Sequence, residues 1–104
     1  MAKIVKTNTQ EMALKEITEK LKIVSAINPL FIGQELNNVK VKITADPEDG
    51  KQVNTLVPIP FQLIAGGIKE YRKRLVSDIQ SKAKANAIIL DDDDLAIINA
   101  GEKS

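Results

Sequence analysis

Residues 52–68 form a run of seventeen positions without a charged side chain, in a chain of 104 residues of which 28% are charged. A chain of this length has room for one core and no second domain, and typically buries about 60–65% of its unfolded surface. The run must therefore supply much of that core or form a surface that another molecule covers. Val53, Thr55, Val57 and Ile59 alternate as one face of a strand, and Pro58 removes a ladder donor, which assigns that end to a sheet edge or a strand terminus. Pro60 can open a helix, because its missing N–H would find no partner there anyway. We read the run as a core strand followed by a helix start, with a partner-facing surface as the competing reading. With two prolines and two glycines it falls short of the about 20 apolar residues that span a bilayer, so no membrane partner is expected.

The flanking sequence sorts into elements by period. Leu14, Ile17, Leu21 and Val24 recur at helical spacing and predict a helix over residues 9–27, with Thr7 and Gln10 placed as a capping box and Asn28-Pro29 as its stop. A connector with Gly33 follows. Val39, Val41, Ile43 and Ala45 then alternate with Lys40, Lys42 and Thr44, and Asp46-Pro47-Glu48-Asp49-Gly50 supplies turn chemistry before the second strand. Phe61, Ile64, Ile68, Tyr71, Leu75, Ile79 and Ala83 extend a second helical stripe to about residue 85. Gly66-Gly67 interrupts it, either to admit a close backbone neighbour or as the true helix start. Ala87, Ile88, Ile89 and Leu90 read as a short buried strand. The aspartates 91–94 then either tip a hairpin or open a terminal helix, and the shortness of the Ile-rich arms favours the hairpin. The fold expected is a small single α+β domain over residues 1–104: N-terminal helix, β-hairpin, long amphipathic helix, then a short C-terminal β-hairpin or strand-helix, with a frayed tail at 101–104.

The chain contains no cysteine and no histidine. Disulfides, zinc sites, thiol nucleophiles, Ser-His triads and imidazole acid-base chemistry are excluded by inventory, and no recognisable catalytic motif is formed by the residues that remain. We expect a protein that is not an enzyme and binds no cofactor. The absence of cysteine and of a signal-peptide pattern fits a cytoplasmic location. A net charge of +1 gives the molecule no strong overall field, so any electrostatic partner has to read a local patch.

Three such places stand out. The acidic run at 91–94 could attract a divalent cation, with Asp92 and Asp94 as the alternate carboxylates able to converge, but it has no EF-hand register and reads as a solvated turn in preference to a metal site. Residues 69–84 carry six basic and two acidic side chains. Lys69, Lys73, Arg74 and Lys84 could follow a phosphate backbone, while Arg72 and Lys82 sit at the margin of the apolar stripe, where long side chains reach out to water. No aromatic residues interleave with them for base stacking, and 13 of the 15 basic residues are lysine, so nucleic acid is the secondary reading. The uncharged run is the better lead. Leu56, Val57, Ile59 and Phe61 are the candidate interaction surface, for a protein partner or a second copy of the chain. The function expected is that of a small interaction or assembly protein.

Overall fold

The computed structural model describes residues 8–32, 35–48 and 50–100. Thr7 of the expected capping box, Gly33, Asp49 and the tail at 101–104 lie outside the described residues. The order of elements is α1 (Asn8–Ile27), a 3-10 turn (Asn28–Leu30), β1 (Asn38–Ala45), β2 (Val53–Pro60), α2 (Phe61–Ala85) and α3 (Asp92–Ala100). The architecture is mixed α+β, as the periodicities require.

Helices α1 and α2 pack antiparallel, and their side chains record the pairing. Gln10 Nε2 donates to the Asn86 carbonyl (2.7 Å), Lys82 bridges to Glu16, Lys20 Nζ lies 2.8 Å from Asp78 Oδ2, and Arg72 Nε donates to Asn28 Oδ1 (2.8 Å). As numbers rise along α1 they fall along α2. The hydrogen bond from Lys82 holds the Glu16 carboxyl below the usual carboxylate range, and that from Lys20 does the same for Asp78. Ala13, Ile17, Leu21, Val24 and Ile27 of α1 meet Leu75, Val76, Ile79 and Ala83 of α2, and Ile88 and Ile98 close the cluster. Ile17, Val24, Ile79 and Ile98 are its most enclosed members.

This pairing has a geometric remainder. The α1 side of it ends at Asn28 opposite Arg72, so the eleven residues of α2 before Arg72, about 16 Å of helix, run past the end of α1, with Ile68 still packed against the core. Between Phe61 and Arg72 no residue of α2 is buried. Gly66 and Gly67 lie in this overhang. A Cβ built on either meets nothing within 4 Å, and the helix runs through both, so neither close packing nor a helix start explains the pair.

The C-terminal region corrects the preferred hairpin reading. The segment 87–90 holds one bridge residue, Ile89, and is not a strand; the aspartates open α3. Asp91 Oδ1 accepts the Asp94 N–H at 2.9 Å and Asp94 Oδ2 faces the Asp91 N–H at 3.4 Å, a capping box closed by a third-position aspartate. Four carboxylates at a helix start are stabilised by the unbonded N–H groups there. Before it, α2 ends in a reversal: Ile88 N–H donates to the Ala83 carbonyl (2.8 Å), and Ala87 takes φ 53°, the left-handed turn that stops a helix.

Arg72 is also corrected. It does not reach into water; it is buried, and its guanidinium donates to Asn28 Oδ1 and to the Ile97 and Ile98 carbonyls at 3.1 and 2.8 Å. Asn28 Nδ2 donates to the same Ile97 carbonyl (2.9 Å). These carbonyls belong to the last turn of α3, where the helix leaves acceptors open and favours a cation. One arginine thus ties the end of α1, the middle of α2 and the C-terminus of α3.

Candidate docking surface

The hairpin contains no buried residue: none of the sixteen positions of β1 and β2 is enclosed, and only Val39, Val41, Val57 and Ile59 are half-buried. The two strands form the complete sheet among the described residues, and beyond each other their main contact is with α2. A two-stranded ribbon is at best marginally stable alone in water; a third strand or a packed face is what normally sustains it.

The register places the sequence pattern on two faces. Val39 pairs with Ile59, Val41 with Val57, Ile43 with Thr55 and Ala45 with Val53, so all the alternating apolar positions share one side. The four half-buried residues lie at the base of that side. Toward the tip, Ile43 and Val53 are 43% and 41% exposed. The other face carries Lys40, Lys42, Thr44, Asn54, Leu56 and Pro58.

The prolines also fix which backbone groups point outward. A hydrogen-bonded antiparallel pair needs an N–H from both residues, so Lys40–Pro58 and Asn38–Pro60 are non-bonded pairs. The Phe61 N–H donating to the Asn37 carbonyl at 2.7 Å sets the same phase. Asn38, Lys40, Lys42 and Thr44 therefore turn both N–H and C=O to the outer edge of β1. On the outer edge of β2, Asn54 and Leu56 do likewise, but Pro58 and Pro60 offer no donor. One edge of the hairpin is open along its length and the other is blunted at its base.

Of the expected surface residues, Leu56 is 57% exposed on the polar face, and Val57 and Ile59 sit half-buried on the apolar face. Phe61 is elsewhere. It is buried at the start of α2 against Phe31, ring centroids 5.4 Å apart, and forms the joint between hairpin and helices. It is also the single buried residue of the whole uncharged run 52–68, with Ile68 packed beside the core; the helix start of that run is as expected, and the core strand is not, since β2 contains no buried residue. The overhang of α2 adds Leu63 and Tyr71, 72% and 49% exposed.

Of the basic residues of α2, Arg72 and Lys82 are engaged within the helical body, while Lys69, Lys73, Arg74 and Lys84 are all exposed. Arg72 is buried, Lys82 pairs with Glu16, Arg74 lies 3.4 Å from Glu70, and Lys69 Nζ sits 5.1 Å from the centroid of the Phe31 ring. Lys73 and Lys84 are exposed on the remaining surface. At the acidic run, Asp94 is buried in the capping box and Asp92 is exposed beside it; no group of three metal-ligating side chains occurs among the described residues. A shallow apolar groove of about 440 Å³ between the end of α1 and α3, lined by Ser25, Pro29, Ile32 and Ala96, holds no charged group. No described helix is long and apolar enough to cross a membrane. Comparisons with protein-family models, curated proteins and solved structures return no match.

The sequence pattern locates both strands, but it places the candidate surface on β2 and does not single out the outward-facing backbone edge of β1. The signal was present in the two-residue spacing of Pro58 and Pro60, which sets the phase of both edges once the partner strand is known.

Proposed function

We propose that this chain is a non-enzymatic interaction or assembly protein that docks through its β-hairpin. The observation that carries the reading is the exposure of the hairpin part of the uncharged run: residues 52–60 contain no buried side chain, in a chain whose helical apolar stripes are packed. Leaving that much apolar surface in water is unfavourable by about 25 cal/mol per Å², which a covering partner would recover. The open backbone edge of β1 adds directional hydrogen bonds that such a partner would satisfy. Expression of the full chain in its source cells with a photo-reactive residue in place of Ile43 or, separately, Leu56 tests this. Discrete protein adducts are expected from these positions and none from the same residue at Lys84; adducts absent from both hairpin positions overturn the reading.

A further inference from the structure

We infer that the occupant of the hairpin is a second copy of this chain, joined edge to edge through β1 in antiparallel register about Ile43; the inference rests on the docking reading above and names its partner. The edge that is free to pair is β1, since Asn38, Lys40, Lys42 and Thr44 present both backbone groups outward while Pro58 and Pro60 remove donors from the far edge of β2. Two copies meeting at β1 form a four-stranded sheet in the order β2-β1-β1-β2. Its outer edges are then the proline-bearing ones, blunted at their base by Pro58 and Pro60, which disfavours propagation beyond the dimer.

Charge and strand overlap together select the register: pairing about Thr44 also opposes lysines to Asp46 and Glu48, but it keeps only residues 43–45 of β1 paired, against 41–45 about Ile43. Antiparallel pairing about Lys40 or Lys42 sets that lysine against its own copy, and pairing about Val41 sets Lys40 against Lys42; like charges directly opposite are destabilising. Pairing about Asn38 or Val39 avoids the clash but slides off the start of β1 and brings no opposite charges together. Pairing about Ile43 places Lys40 opposite Asp46, the first residue of the acidic turn, twice by the two-fold axis. In this register Lys42 and Thr44 exchange both backbone hydrogen bonds, because even-numbered positions of β1 are the ones that face outward, and Lys40 faces Asp46 just past the end of the strand. Ile43 meets Ile43 and Val41 meets Ala45 on the apolar side, so the two half-covered faces become one continuous apolar sheet. Three or more strands with such a face are independently stable where two are not.

The test is a charge exchange read by sedimentation of the full-length chain over a dilution series. Wild type is expected as a dimer that dissociates on dilution. Lys40→Glu sets a glutamate against Asp46, and Asp46→Lys sets a lysine against Lys40, so each alone is expected to raise the dissociation constant at least about tenfold. An equimolar mixture of the two restores an opposite-charge pair at both places and is expected to recover association, which loss of folding in either variant would not do. Ile43→Cys introduces the chain's lone thiol at the two-fold axis, in a non-bonded pair with Cα atoms about 4.5 Å apart, and an intermolecular disulfide is expected on mild oxidation. Wild type that stays monomeric at every concentration overturns the inference, as does a mixture that associates no better than its components. An adduct from position 43 or 56 to a different protein, with the chain itself monomeric, overturns this inference and leaves the docking reading standing.

Discussion

Arg72 is the residue on which the helical body most depends. Its guanidinium satisfies two carbonyls in the last turn of α3 and the side chain of Asn28, and the planar fork reaches all three at once. Arg72→Met is expected to destabilise the fold by about 2–4 kcal/mol in urea unfolding, since hydrogen bonds to a charged donor are lost and buried acceptors are left open. Arg72→Lys recovers little of that, and Lys73→Ala, one position along on the exposed face, is expected to change stability by less than about 0.5 kcal/mol. An equal loss for Arg72→Met and Lys73→Ala would contradict this assignment. The role of Arg72 was not legible in the sequence, where it reads as one basic residue among six. Its partners are backbone carbonyls 25 and 26 positions away, and only the docking of α3 brings them within reach. The acidic run was half legible for a related reason: dipole and capping arguments allow a helix start, but aspartate at the third position gives a weaker sign than the usual glutamate or glutamine.

At the scale of elements, period alone located α1, both strands and α2, because each keeps its apolar residues on one side over many positions. The hairpin register then matches the two alternating sets residue for residue. What period could not give is the offset between α1 and α2, which decides that in the overhang between Phe61 and Arg72 no residue of α2 is buried and only Ile68 reaches the core. Gly66 and Gly67 sit in that overhang with open space where side chains would be. Each glycine in a helix interior costs up to about 1 kcal/mol against alanine, so Gly66→Ala and Gly67→Ala are each expected to raise stability by about 0.5–1 kcal/mol, measured as a rise in melting temperature. A fall in melting temperature would mean that a neighbour does approach there.

Among the described residues the molecule divides into a packed helical body and a ribbon with no buried residue. Its radius of gyration is 16.5 Å, against about 13 Å for a compact domain of this length, and its extents are 45 × 41 × 17 Å. The ribbon carries an apolar face, one open edge, one blunted edge, and lysines on the strand that precedes an acidic turn. Pairing with a second copy, as inferred above, would account for each of these features, and the packing of the helical body requires none of them. Residue-resolved amide hydrogen exchange on β1, at high and low protein concentration, reads this directly. The amides of Lys42 and Thr44, which face outward from the hairpin, are expected to be protected at high concentration and to lose that protection on dilution. If they exchange at free-chain rates at every concentration while the inward amide of Ile43 stays protected, the edge is not paired and the account of the hairpin as the dimer's seam is wrong.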